Sequence, residues 1–445
     1  MMEQARNHRE DLIELDKKHF IHPTSSLKLQ QQQGAPFIFV KGEGVYLTDI
    51  SGQKVLEGMS SLWNVNVGYG RSELAEAAKE QMEKLAFTNS FSSMSNEPAI
   101  LLATKLAEIT PGNLNAVFFT SGGSESNDTA YKLVRHYWKL KGKPDKKKII
   151  SRRRGYHGVN IGATSATGIM PFQEMTTSLA PDFLHVEPES TKSLLDCIQA
   201  EGANSIAAFI SEPIQGAGGV NMAPEGYFKE IRKICDDHDI LFIADEVITG
   251  FGRTGKMFGC EHYDVVPDLM LLAKGITSGY IPLGAVALTE ELHKELVELS
   301  SDVLLHGYTY SGHATACAVG LKNLEIIERE GLVENSRVMG EKLVNGLKKL
   351  KEKVEIAGEI RALGLIGAIE IMDRNGKRFD KLIAPKVSAE AAKRGLMVRT
   401  VCFEGKDTIV FAPPLVINEK EVDEMLRILE EALMAVQRRI LNEAI

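Results

Sequence analysis

Residues 242–255 read Phe242-Ile243-Ala244-Asp245-Glu246-Val247-Ile248-Thr249-Gly250-Phe251-Gly252-Arg253-Thr254-Gly255. An apolar run passes straight into two carboxylates, and that order decides the fold class. A short continuous apolar run bounded by turn residues is the mark of a strand buried on both faces, as in a parallel sheet. A carboxylate at the end of such a strand is costly unless a cation or a hydrogen-bond donor meets it. Ligands of open parallel sheets sit beyond the carboxyl ends of the strands. Asp245 and the residues at neighbouring strand ends are therefore the places to look for chemistry.

Working outward, similar apolar runs stand at 116–119, 148–151, 206–211, 241–244, 269–273 and 283–288, with helical periodicity over 125–139 and 226–238 between them. Strands alternating with helices predict βαβ units and a mostly parallel sheet, hence an α/β domain over 62–325. The last third reads differently. It predicts a long amphipathic helix over 321–351, strands over 366–372 and 408–411, and a closing helix over 419–441. In that helix Val422, Met425, Leu426, Leu429, Leu433, Val436 and Ile440 recur at helical spacing, with Asn418 as N-cap and Glu421 as its capping-box partner. Near the start, 37–41 and 44–49 form an antiparallel pattern around Lys41-Gly42-Glu43-Gly44. We expect segments 1–61 and 326–445 to form one smaller, discontinuous α+β domain.

The 445 residues are 44% hydrophobic and 25% charged, the average of a soluble globular chain. A net charge of −8 offers no overall attraction to nucleic acid or anionic lipid. The basic runs 141–148 and 152–154 read as solvated loops. Five cysteines, widely spaced and never in a CxxC pair, suggest neither a disulfide framework nor a zinc knuckle, and read as buried thiols of a reducing compartment. No stretch has the ~18 apolar residues of a spanning helix, and the first residues carry no apolar leader pattern, so the expected location is the cytoplasm.

Four strand ends carry unusual residues. Thr120-Ser121-Gly122-Gly123-Ser124-Glu125 opens a helix whose first N–H groups suit an anion such as phosphate, although Gly and Ser also make ordinary turns. Ser211-Glu212-Pro213-Ile214-Gln215-Gly216 and Ala244-Asp245-Glu246-Val247 each end a strand in a carboxylate, either capping a helix or facing a cationic partner. Leu269-Met270-Leu271-Leu272-Ala273-Lys274-Gly275 ends in a lysine. A buried ammonium must be paired or lose its proton, and a lysine of lowered pKa attacks carbonyls to form a Schiff base. Gly250 to Gly255 spells the dinucleotide-binding GxGxxG, but no helical periodicity follows it and no acidic strand end lies about 20 residues on, as that site requires. No HExxH, GxSxG or phosphate-loop spelling is present, so metal and hydrolytic mechanisms lack support.

Together these junctions resemble the class III aminotransferases, pyridoxal-phosphate enzymes of fold type I. The likeness runs from Leu62-Trp63-Asn64-Val65-Asn66-Val67-Gly68-Tyr69-Gly70 to Phe411-Ala412-Pro413-Pro414-Leu415, and Lys274 follows Asp245 at the family's spacing of 29 residues. The resemblance implies a large domain with a mostly parallel sheet flanked by helices, and a smaller α+β domain built from both termini. It implies that Lys274 bonds the cofactor and then shuttles the proton at the substrate carbon. Asp245 is then the partner of the pyridine nitrogen, Val247 and Tyr156 pack on the two ring faces, and Glu212 organises the surroundings. Gly123 and Ser124 bind the phosphate, joined by Thr309 of the neighbouring subunit, so a homodimer with shared active sites is expected.

Trp63, Phe91 (from the partner chain) and Tyr156 resemble the aromatic walls of the ω-transaminase, or amine:pyruvate, branch, and Ile248 agrees with it. Arg399 resembles the mobile arginine that grips a substrate carboxylate bidentately. The segment 401–406 is longer than the family's turn after that arginine. The expected reaction moves an amino group from an ω-amino acid or primary amine to pyruvate or another 2-oxo acid by a ping-pong route. The alternative within the fold is the diaminopelargonate aminotransferase of biotin synthesis. That branch typically shows paired tryptophans where this chain has Leu62-Trp63.

Overall fold

The run that opens the sequence argument forms the strand Leu241–Asp245 in the computed structural model, which describes residues 2–443. It is the middle strand of a seven-stranded sheet. Across the sheet the strands stand in the order Leu114–Thr120, Gly284–Thr289, Leu269–Leu272, Leu241–Asp245, Ile206–Ser211, Lys148–Arg152 and Phe183–Val186. Six run parallel, and Gly284–Thr289 runs against both of its neighbours. Every residue of Ile206–Ser211 and Leu269–Leu272 is buried, which is why these strands read as unbroken apolar runs rather than as alternation.

The helix Gly123–Leu140 covers one face of the sheet. Its buried residues Asn127, Ala130, Tyr131, Val134 and Trp138 recur every three or four positions, and Trp138 donates its indole N–H to the Ala207 carbonyl at 2.9 Å. The chain's two ends meet in smaller sheets. Phe39–Glu43, Tyr46–Asp49 and Lys54–Glu57 pair in sequence, and the last of them takes Leu396–Met397 alongside it in parallel. Ala357–Leu363, Ile366–Ile371, Thr408–Phe411 and Arg399–Val401 form an antiparallel sheet. The closing helix Glu419–Glu443 starts at the expected capping box: Glu421 N–H donates to Asn418 Oδ1 at 3.1 Å, and Asn418 N–H donates to Glu421 Oε2 at 2.9 Å.

The structure corrects the sequence reading at several points. The single helix expected over 321–351 is two, Ala314–Arg329 and Leu332–Lys353, because Gly331 takes a left-handed φ of 62° that ends the first. Neither basic run is fully solvated. Lys146 is buried over the Trp138 ring and donates to the Ala203 carbonyl at 3.1 Å, and Arg152 is buried beneath the Glu212 carbonyl. Cys235, Cys260 and Cys317 are buried, but Cys197 and Cys402 are only partly so; none forms a disulfide. The strands Lys54–Glu57, Phe183–Val186, Ala357–Leu363 and Arg399–Val401 were not expected. They are short or carry charged residues, so no unbroken apolar run marks them.

The segment 250–255 opens no helix. Instead Arg253 is fully buried and bonds to four distant places: the carbonyls of Leu365 and Pro413, Ser60 Oγ at 3.0 Å and Asn66 Oδ1 at 2.8 Å. Its guanidinium thus ties the large sheet's loops to both ends of the chain.

Candidate active site

The two carboxylates of 245–246 part company at the end of their strand, as alternation along a strand requires. Glu246 turns into the loop beyond, where it accepts the N–H groups of Gly259 at 2.8 Å and Cys260 at 2.7 Å and the Thr249 hydroxyl. Asp245 faces a cavity lined by Gly123, Ser124, Tyr156, Val247 and Lys274 among others. Its Oδ2 accepts from His157 Nδ1 at 2.8 Å and from Asn127 Nδ2 at 3.2 Å, and its Oδ1 accepts from Val247 N–H at 3.2 Å. These donors fix the orientation of the carboxylate. His157 is sealed from solvent, and its Nε2 has no partner among the described residues.

Glu212 follows the next strand. Its Oε1 accepts Tyr156 N–H and its Oε2 accepts Gly216 N–H, each at 2.9 Å. Burial pushes its carboxyl up to about 7, against the pull of His157 and with the push of Asp245. Lys274 opens a short turn, Lys274–Ile276, in a left-handed conformation with φ of 47°. A non-glycine residue held there stores strain, of a kind that clusters at active sites. Burial pushes its ammonium below the ordinary lysine value, while Asp245 and Glu212 pull it back up. Among the described residues nothing hydrogen-bonds its Nζ, which leaves the amine free to react.

At the other end of the cavity, the N–H groups of Gly123 and Ser124 begin the helix and have no acceptor among the described residues. Ser121 N–H is capped by Glu125 at 2.8 Å. Ser124 Oγ accepts Val159 N–H at 3.1 Å, and a side chain at Gly158, whose φ is 113°, would collide with Ser124. The tight approach keeps the helix start open. The Tyr156 ring packs edge-on against Phe172, with centroids 5.3 Å apart. Larger depressions elsewhere, such as that lined by Gln81, Leu101 and Leu321, gather no comparable groups.

The remaining expected residues lie around this cavity rather than in it. The Arg399 guanidinium stands 5.2 Å from the centre of the buried Trp63 ring and close enough to Lys274 and Tyr156 to influence their ionisation. It forms no ion pair among the described residues, and burial pushes its pKa down. Phe91, 48% exposed, and the exposed Thr309 do not line the chain's own cavity. They sit on adjoining loops, joined by Ser90 Oγ donating to the Ser311 carbonyl at 2.8 Å and by close packing of Gly307 on the Phe91 ring.

Sequence reasoning missed His157 and Asn127 as partners of Asp245. The signals were present: His157 directly follows Tyr156, and Asn127 lies one helical turn beyond Gly123 on the same face. Among the described residues, no cluster of three or more His, Cys, Asp or Glu could hold a metal ion, and no helix is long and apolar enough to cross a membrane.

Comparison with known proteins places this geometry. Residues 29–433 match the family described as aminotransferase class-III. The putrescine–pyruvate aminotransferase of Pseudomonas aeruginosa is 40% identical, over 94% of this chain and 95% of the relative. A transaminase from the marine bacterium Virgibacillus superposes with a TM-score of 0.95 at 54% identity, covering 97% of this chain and all of that one. The ω-transaminase of Pseudomonas jessenii, solved in complex with PMP, superposes with a TM-score of 0.92 at 38% identity, over 96% of this chain and 98% of that one.

Proposed function

We propose, from the premise that this chain belongs to the class III aminotransferases, that it moves the amino group of an ω-amino acid or primary amine to pyruvate or another 2-oxo acid in two half-reactions. It is an enzyme, an aminotransferase, and its cofactor is pyridoxal 5′-phosphate. The observation that carries the substrate reading is Arg399, a guanidinium with no carboxylate partner among the described residues, held against Trp63 within electrostatic reach of Lys274. Such a group suits an acceptor that brings its own carboxylate.

The residues present fit the cofactor. An unbonded amine, a carboxylate held in place by hydrogen-bond donors and a helix start with open N–H groups share one cavity. When bound, the cofactor supplies an electrophilic carbon and a ring that withdraws electrons. Gly123 and Ser124 would hold its phosphate, Tyr156 and Val247 its ring faces, and Asp245 a proton on the ring nitrogen. His157 and Asn127 hold Asp245 in place for that task. Lys274 moves the proton at the reacting substrate carbon, its lowered pKa favouring the base form over that of an ordinary lysine. Glu212 fixes the Tyr156 backbone.

Phe91 and Thr309, exposed on adjoining loops, support a homodimer in which each chain completes its partner's site. The parallel pairing of Lys54–Glu57 with Leu396–Met397 supports a large domain over 62–325 and a smaller one from 1–61 with 326–445. The unpaired cysteines support a cytoplasmic location. The test is a panel of donors, including β-alanine, putrescine, 1-phenylethylamine and S-adenosylmethionine, assayed for alanine formation from pyruvate. Turnover with amines or ω-amino acids is expected. Activity with S-adenosylmethionine alone would replace this reading with diaminopelargonate synthesis.

A further inference from the structure

The segment that carries Trp63 is built against its own backbone preference. Ser60, Ser61 and Trp63 all have positive φ, at 47°, 60° and 58°, and none is glycine. L-residues rarely adopt this conformation, and three in four positions persist only where neighbours over-determine them. The neighbour that does so is Glu57, the last residue of the Lys54–Glu57 strand. Its side chain is buried and forms no ion pair among the described residues. Oε1 accepts Met59 N–H at 3.0 Å, while Oε2 accepts Ser61 N–H and the Tyr69 hydroxyl, the latter at 3.2 Å. Burial pushes this carboxyl up from the ordinary value and the donors pull it back.

Arg253 grips the same segment from the other side through Ser60 Oγ, which itself donates to the Ala412 carbonyl at 2.7 Å. Glu57 also stands beside Met397 in parallel register, and Gly58 N–H donates to the Met397 carbonyl at 2.9 Å, two residues before Arg399. One strand end therefore controls the placement of both the indole and the guanidinium packed on it.

We infer that Glu57 is a positioning residue for substrate recognition: by holding the N–H groups of Met59 and Ser61 it sets Trp63 against Arg399, and so sets affinity for the carboxylate-bearing substrate. The inference rests on reading Trp63 and Arg399 as substrate-side groups. Glutamine at position 57 keeps one acceptor oxygen but turns a donor toward the other N–H, so at least one of these bonds is lost.

The experiment compares holoenzyme of the wild type, Glu57→Gln, Tyr69→Phe and Arg399→Ala, reading cofactor absorbance and steady-state constants for pyruvate. For Glu57→Gln, loss of about one buried hydrogen bond should raise KM for pyruvate about tenfold, with kcat changed less than about threefold and cofactor absorbance unchanged. Tyr69→Phe removes a single bond to the same carboxylate and should move KM the same way by about threefold; if Glu57→Gln does not fold, this variant decides alone. An unchanged KM, or a fall in kcat accompanied by cofactor loss, overturns the inference. If Arg399→Ala raises KM while the other two do not, only the role of Glu57 falls. If Arg399→Ala leaves KM unchanged, the substrate-side reading falls and takes the inference with it.

Discussion

The cofactor side of the cavity and its substrate side are built on opposite terms. Around Asp245 and Glu212 every carboxylate oxygen is met by a donor from the chain itself, one from a helix and the rest from loops and turns beyond the strands. Around Trp63 and Arg399 the groups are left open: the guanidinium has no carboxylate, the buried indole N–H has no acceptor among the described residues, and the backbone is left-handed. A closed hydrogen-bond network fixes one geometry, as a permanently bound group requires. Open, charged groups instead leave their pairing to whichever substrate arrives. The two sides therefore divide chemistry from selectivity.

The largest effect should come from breaking the chemical side at its lysine. Lys274→Ala is expected to lower turnover by 10⁴-fold or about that and to remove the visible absorbance of the loaded enzyme, measured in single-turnover assays with a good donor. Normal turnover would end the division proposed above. Asp245→Asn keeps the shape but replaces a carboxylate oxygen held by His157 and Asn127 with an amide group. We expect about a 10²–10³-fold loss in kcat with an unchanged thermal melt of the folded chain.

A third test asks whether the cofactor side is completed from outside the chain. Lys274→Ala and Thr309→Ala chains, each poorly active alone, should regain activity when unfolded and refolded together. One site of a mixed dimer then holds Lys274 from one chain and the partner's Thr309. Absence of any gain over the separate variants would place Thr309 outside the site.

The smallest effect sharpens the closed side. Glu212, pushed up to about 7 in the fold, keeps a proton that the unfolded chain releases near 4.5. The folded state binds the extra proton in this window, so its contribution to stability is largest below pH 4.5, declines as pH rises and levels off above 7. Glu212→Gln should flatten the pH dependence of urea unfolding of cofactor-free protein between those limits, by at most about 1.4 kcal/mol per pH unit. Parallel curves for the two proteins would contradict the assignment.

The same contrast marks what could be read from the residues. The strand ending in Asp245, the lysine after Leu269–Leu272 and the helix opening at Gly123 were all legible, because each is a local pattern of apolar run, turn and polar residue. The partners of Asp245 were not, since Asn127 lies 118 residues away and His157 lies 88, and no local pattern announces such pairings. Glu57 was silent for a related reason. A glutamate ending a four-residue strand is unremarkable until the backbone it holds is seen to be left-handed. The GxGxxG spelling was rightly set aside, but the buried role of Arg253 within it depends on carbonyls 112 and 160 residues further along.

By itself the sequence determined the α/β architecture and the strand-end residues proposed to carry the chemistry, because burial and turn formation act over a few neighbouring residues and leave a periodic trace. Only the tertiary structure decided which donors hold Asp245, which of two adjacent carboxylates faces the cavity, and how Glu57 couples Trp63 to Arg399. Those outcomes depend on hydrogen bonds between segments whose distance along the chain bears no relation to their distance in space.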